Sequence, residues 1–449
     1  MAETHKGFGL LFEMGCGKTL TAIMIAGTAY QMGKVEKVLV VAPTSVCSVW
    51  PKDFAEFADF KANIKVLLGD KNRRLKLLND LDNFPFKALK VAVINYESTW
   101  REGIFDALYE WNADMIICDE SQRIKSHDAE QSKAMHKLGD QAKYKLILSG
   151  TPVQNNAIDL YSQYRFLDPT IFGTNFYQFR NRYAIMGGFN RHQIVGYKDL
   201  DQLIQKEHSI AYRVTKDEAL DLPEQTFLQR YITMSAKEKN IYDRIKRESF
   251  AELESGGQIS ATTVLTKLLR LQQFTGGFLV ADGEEKPELV SKGKLNALEE
   301  IVDDYVVDAG KKLVIFARFR PEIDIIGQML KKKKLRYGEI YGDVKLEDRG
   351  GIVKDFQTNP ETMVFLAQID TAGLGITLTA ADTCVYYSVN FNYAAYSQSL
   401  ARIHRIGQKN ACTYIHLITE GTIDEVVLKA LAKKEDLAKT VVDTWRDYF

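Results

Sequence analysis

The run Met14-Gly15-Cys16-Gly17-Lys18-Thr19 does most to narrow what this chain can be, because of what flanks it. An apolar stretch of strand character at 9–13 leads into it, and an amphipathic, helix-like stretch at 18–32 leads out. Glycines at such a junction let backbone amides curl around phosphate oxygens, and the new helix adds the positive end of its dipole. A lysine next in line reaches the β- and γ-phosphates of a nucleotide, and a threonine hydroxyl suits Mg²⁺. Met14, Gly15, Cys16 and Gly17 are therefore expected to cradle phosphate, with Lys18 on the terminal phosphates and Thr19 at the metal. The strict pattern asks for a glycine where this chain has Phe12. A chance run of this kind also occurs at helix starts, so a second half of the site is required.

That half is Met115-Ile116-Ile117-Cys118-Asp119-Glu120-Ser121-Gln122. An apolar strand ending in two adjacent carboxylates is what a magnesium nucleotide site needs. Asp119 at the strand end is expected to hold Mg²⁺ through water. Glu120, one residue further, is expected to polarise the attacking water as general base. Such a pair is common by itself, and it gains weight by following a phosphate loop in the same lobe. Glu254-Ser255-Gly256-Gly257-Gln258 resembles the signature of transporter-type ATPases. It lies far downstream of Asp119, whereas that signature precedes the acidic strand, so it is expected to be a turn between helices.

Short β-branched runs at 9–13, 37–42, 90–95, 114–119 and 145–149 alternate with amphipathic stretches, the rhythm of a parallel α/β sheet. The rhythm returns with runs at 312–317, 363–368, 383–387 and 413–418 and helical patterns at 321–334 and 422–437. Between them lie an aromatic-rich helical stretch at 161–183, a turn or hairpin at 186–196, and amphipathic helices at 235–253 and 261–274. The expected organisation is one α/β lobe over 1–156, a mostly helical insert and linker over 157–290, and a second α/β lobe over 291–449.

Hydrophobic residues make up 45% and charged residues 26% of the 449, an ordinary globular composition. No apolar run approaches the roughly 20 residues that span a bilayer, and the first residues lack a signal-peptide pattern. An intracellular, cytoplasmic location is expected, with no membrane partner. The five cysteines are scattered without a CxxC pair, which argues against both a disulfide framework and a zinc site. Because the formal net charge is zero, nucleic-acid binding would have to come from local patches.

Further strings resemble the Swi/Snf-like branch of superfamily-two helicases. Val41-Ala42-Pro43-Thr44-Ser45, followed by Trp50, looks like its motif Ia. Leu148-Ser149-Gly150-Thr151-Pro152-Val153-Gln154-Asn155 looks like motif III, and Arg213-Val214-Thr215-Lys216-Asp217-Glu218 like the block that follows. The run 371–382, from Thr371-Ala372-Gly373 onward, resembles motif V. Gln398 to Gln408, containing Arg402-Ile403-His404-Arg405-Ile406-Gly407-Gln408, resembles motif VI. Order and spacing agree over nearly the whole chain.

The resemblance implies two RecA-like parallel-sheet lobes with ATP hydrolysed in the cleft between them. Lys18, Thr19, Asp119 and Glu120 would come from the first lobe, and Arg402 and Arg405 from the second, facing the γ-phosphate. Gln122, Ser149, Gly150 and Thr151 would relay the nucleotide state to the DNA side. Thr44, Ser45, Thr371 and Gly373 would contact DNA, mainly its backbone and without sequence preference. The implied activity is an ATP-dependent motor translocating on double-stranded DNA, similar to short bacterial or phage members. Two rival readings are a strand-separating helicase, with 186–196 as its pin, and an ATP-gated clamp with little turnover.

The chain departs from the family pattern in three places. Gln122 stands where many relatives carry histidine, and Thr371 and Ala372-Gly373 replace an arginine and a glycine pair. The adenine-reading glutamine motif expected before the phosphate loop has too little sequence to occupy: either an N-terminal piece has been lost or adenine is recognised weakly, and weak base selectivity is the expectation. Lys331 to Lys334 offer either a DNA patch or the basic end of a helix.

Overall fold

The computed structural model describes residues 6–188, 193–254, 261–280, 287–374 and 376–442. The chain divides into two compact units, Met1–Asp221 with Lys434–Phe449, and Leu222–Lys433. The Glu254–Gln258 string falls largely outside the described residues.

In the first unit, strands β1 (Gly7–Phe12), β2 (Lys37–Ala42), β3 (Ala62–Val66), β4 (Leu89–Asn95), β5 (Met115–Asp119) and β6 (Tyr144–Leu148) alternate with helices. A hairpin of β7 (Ala184–Gly187) and β8 (Gln193–Tyr197) follows, and then β9 (Ala211–Val214). Seven of these form one sheet in the order β3-β4-β2-β5-β6-β1-β9, and every pairing in it is parallel. The central strands are buried on both faces, which is why they read as unbroken apolar runs such as Val38-Leu39-Val40-Val41. One core lies on each face of the sheet. The aromatic stretch after β6 folds into helices Leu160–Leu167, Pro169–Phe172 and Phe176–Tyr183, whose rings pack together; the ring centres of Phe172 and Phe179 lie 4.9 Å apart.

The second unit holds a six-stranded sheet of β10 (Gln225–Ile232), β13 (Leu313–Ala317), β14 (Arg336–Ile340), β15 (Thr362–Gln368), β16 (Thr383–Tyr386) and β17 (Cys412–Thr419). Its order is β10-β17-β16-β13-β15-β14, again parallel throughout. A small antiparallel pair, β11 (Phe278–Val280) with β12 (Pro287–Leu289), stands apart from it. Apolar cores cover both faces of the sheet.

Two parallel-sheet α/β units are thus present. The segment expected as an insert is divided between them at Asp221/Leu222, since β9 completes the first sheet and β10 begins the second. Both helices expected in it, Ala236–Glu254 and Ala261–Thr275, belong to the second unit, and the hairpin at 186–196 belongs to the first. No helix among the described residues is long and apolar enough to cross a membrane.

Candidate nucleotide site

Parallel sheets present their functional loops at the carboxyl ends of their strands, and the first unit follows this rule at four adjacent strands. The phosphate loop follows β1, Thr44 follows β2, Glu120 follows β5 and Ser149 follows β6. In the phosphate loop Gly15 (φ 92°) and Gly17 (φ 82°) adopt left-handed backbone that side chains disfavour. Gly17 caps the helix Lys18–Gln31 without any side-chain bond, so the helix's first amides face the loop. Thr19 is half-buried in its first turn. Lys18 folds back, and its Nζ donates to the carbonyls of Phe12 (2.9 Å) and Glu13 (3.3 Å). Burial lowers the Lys18 pKa, and the Glu120 and Asp119 carboxylates oppose that shift.

Asp119 is buried, and its Oδ2 accepts from the Trp50 indole Nε1 at 3.1 Å. Burial, reinforced by the neighbouring Glu120 charge, pushes its carboxyl up to about 7, with Lys18 opposing. The Tyr96 hydroxyl donates to the Asp119 carbonyl at 2.8 Å. Glu120 itself takes left-handed backbone (φ 53°), uncommon for a side chain of its size, and such strained residues cluster at functional sites.

A chain of hydrogen bonds starts at that glutamate. Gln122 Nε2 donates to Glu120 Oε2 at 2.5 Å, and Ser149 Oγ donates to Gln122 Oε1 at 2.7 Å. The Thr151 amide then donates to Ser149 Oγ at 3.1 Å. Gly150 abuts the phosphate loop: a Cβ there would sit 3.3 Å from the Phe12 carbonyl oxygen and 3.4 Å from the Met14 nitrogen. The structure therefore brings Met14 to Thr19, Asp119, Glu120, Gln122, Ser149, Gly150 and Thr151 together in one unit.

Arg402 and Arg405 lie in the second unit, in a turn region after the helix Tyr393–Leu400 rather than on a helix face. Each directs Nη1 at the Ile376 carbonyl, at 3.4 Å and 3.3 Å. Arg402 is only 1% exposed, while Arg405 is half-buried and its pKa is lowered by that burial. Nε2 of His404, between them in sequence, lies 2.8 Å from the Pro223 carbonyl. Gln408 holds the turn by donating to the carbonyls of Ala381 (2.8 Å) and Ile403 (3.2 Å).

Of the residues expected at DNA, Thr44 is exposed, and its hydroxyl lies 3.5 Å from Glu97 Oε2; Ser45 beside it is half-buried. Thr371 and Gly373 share the 3₁₀ turn Ile369–Leu374, and Thr371 Oγ1 donates to the Gln368 carbonyl at 2.5 Å. The two pairs belong to different units, each near the carboxyl end of a strand. In the basic run at 331–334, Lys333 is held by Asp303 at 2.7 Å and by Glu299 at 3.1 Å.

Reading the sequence missed the roles of three residues here. Tyr96 carries no motif signal. Trp50 follows a motif, but its bond to Asp119, 69 positions away, leaves no mark in the sequence. Arg213 opens a block of the sequence in which nothing local marks its role. It is 5% exposed and donates from Nη1 to the carbonyls of Leu11 (2.9 Å) and Gly150 (3.2 Å), and from Nη2 to Glu13 Oε1 (2.9 Å).

Comparison with known families and proteins shows what the chain as a whole is similar to. The family model described as SNF2-related domain matches residues 2–276, and that described as Helicase conserved C-terminal domain matches 293–407. An uncharacterized ATP-dependent helicase of Mycoplasma genitalium is 26% identical over 443 residues, covering 98% of this chain and 40% of the relative. The chromodomain-helicase-DNA-binding protein 1-like of Danio rerio is 27% identical over 456 residues, covering 99% of this chain and 43% of the relative. The Sulfolobus solfataricus SWI2/SNF2 ATPase core, solved in complex with double-stranded DNA, is 26% identical. That match covers 99% of this chain and 90% of the other, with a TM-score of 0.44. The chain spans about two fifths of the length of the curated relatives it matches.

Proposed function

Since the chain belongs to the family defined by the SNF2-related domain, we propose that it is an ATP-hydrolysing motor that translocates on double-stranded DNA. The observation that carries this reading is the hydrogen-bonded chain from Glu120 through Gln122 to Ser149, beside a formed phosphate loop. A general base tied by side chains to a loop outside the phosphate cradle suits a nucleotide site whose state must be passed on. Relatives named as helicases and as a DNA-binding protein supply the nucleic-acid half of the reading.

In this mechanism Lys18 leaves its two loop carbonyls to pair with the terminal phosphates of ATP, a compact cation meeting concentrated negative charge. Thr19 and Asp119 are hard oxygen donors suited to magnesium, and among the described residues no cluster of three ligating side chains gathers that would hold an ion alone. A magnesium shared with the phosphates fits that set; when bound, it would neutralise phosphate charge. The lysine and the metal site both favour the ionised Asp119. Glu120 orients and deprotonates the attacking water, and Gln122 holds its carboxylate. Arg405 and Arg402 meet the charge that builds on the transferred phosphoryl group. Thr44, Ser45, Thr371 and Gly373 track the DNA backbone by hydroxyl and amide contacts, which gives salt-sensitive, sequence-independent binding. A cytoplasmic setting fits this substrate.

The test is steady-state ATP hydrolysis without nucleic acid and with single-stranded DNA, duplex DNA or RNA, using Glu120→Gln as blank. Stimulation by duplex DNA is expected. Stimulation by single strands alone would favour strand separation, and no turnover with any of them would favour a clamp.

A further inference from the structure

Beyond Ser149 the hydrogen-bonded path does not stop. Gly150, the next residue, is wedged between the phosphate loop on one side and Arg213 on the other. The Arg213 guanidinium also holds the Leu11 carbonyl, at the end of β1, and one oxygen of Glu13. The other Glu13 oxygen accepts from the backbone amide of Lys216 at 3.0 Å, and the Glu13 amide donates to the Val214 carbonyl at 2.8 Å. Lys216 opens the short helix Lys216–Ala219, capped by Thr215, which ends just before the chain leaves the first unit at Asp221.

We propose that Arg213 is a positioning residue that ties the nucleotide site to the chain segment leaving the first unit. It extends the Glu120–Gln122–Ser149 path through Gly150 and Glu13 to Lys216. Arginine suits the post because its planar fork serves three acceptors at once while always charged, which an ammonium on a flexible stem does not. A shift of Gly150 on nucleotide turnover must move either the phosphate loop or Arg213, because interiors are close-packed. The inference rests on the motor reading above, in which nucleotide state is carried into the connecting segment. Plain structural support is the competing explanation, and it would lower every activity alike.

The experiment uses the full chain with Arg213→Met, Arg213→Lys and Glu13→Gln. It reads thermal midpoint, KM for ATP, and kcat with and without duplex DNA. Arg213→Met should lower DNA-stimulated kcat by about tenfold to a hundredfold, as small misplacements near reacting groups do. Its basal kcat and KM should change less than about threefold, the pattern of a lost coupling rather than lost binding. Arg213→Lys should recover part of the stimulation. Should Arg213→Met fail to fold, Glu13→Gln carries the test: it keeps the shape and turns an amide toward one of two N–H donors, so the stimulation ratio should again fall. Basal and stimulated rates falling by the same factor, or neither moving, would overturn the proposal. A wild-type chain that duplex DNA does not stimulate would overturn the motor reading first, and this inference with it.

Discussion

Gln122 holds the carboxylate of Glu120 directly, its Nε2 lying 2.5 Å from Glu120 Oε2. The proposed base is therefore fixed by a neighbour two residues on, whose other amide atom is itself held by Ser149. The acidic strand and the loop after β6 act as one polar unit, and its members respond differently to substitution.

Glu120→Gln keeps the size of the side chain and loses only the base. Mg-ATP binding is expected to stay close to wild type while kcat falls by about 10²–10⁴, the range typical of a lost general base. Nucleotide titration beside single-turnover hydrolysis checks this, and near-normal turnover would remove Glu120 from its role.

Ser149→Ala deletes a buried donor and leaves Gln122 Oε1 without it. Such losses cost about 1–3 kcal/mol, which for a unit of this size lowers the thermal midpoint by roughly 2–10 °C. Calorimetry should show that drop, together with weaker stimulation by DNA.

The two arginines of the second unit should separate by burial. Arg402 is 1% exposed, so Arg402→Ala should lower both hydrolysis and the thermal midpoint. Half-buried Arg405 should, as Arg405→Ala, lose kcat by at least about 10² with little change in midpoint. Equal midpoint losses in the two variants would contradict the distinction.

Glu322, in the second unit, gives a pH test. Its Oε2 accepts from the amides of Arg318 and Phe319, both at 2.9 Å, and from the Ser388 hydroxyl at 2.5 Å. Burial nonetheless pushes its carboxyl from 4.5 up to about 7. Between those values the folded chain binds more protons at this group than the unfolded chain, so stability falls as pH rises. Its contribution is fully present below about 4.5 and is lost as pH passes about 7. Midpoints of wild type minus Glu322→Gln, measured from pH 4 to 8 (a span of about four units), should fall with pH; a flat difference would contradict the shift.

How far the sequence revealed all this depends on where each residue's partners lie. β1, β2, β4, β5 and β6 were legible because inner parallel strands are apolar throughout. β3 was not, since its Asn63 and Lys65 mark a half-buried edge strand, and β10 is exposed along nearly its whole length. β9, Ala211–Val214, is only four residues long and runs into the charged block Arg213–Glu218, too short a stretch to show a strand period. The phosphate loop and the Asp119–Glu120 pair are each contiguous, and local geometry alone dictates their residue types. Trp50 on Asp119 and Arg213 on Glu13 join positions 69 and 200 residues apart, and only the folded sheet brings those together.

Movement along duplex DNA is read out by displacement of a triplex-forming strand. The chain is given a blunt duplex carrying a third strand in the major groove, with ATP, and release of that strand is followed. ATP-dependent release with the duplex left paired is expected of a motor, and none with Glu120→Gln. Duplex-stimulated hydrolysis without release, or release only when the duplex itself comes apart, would contradict it.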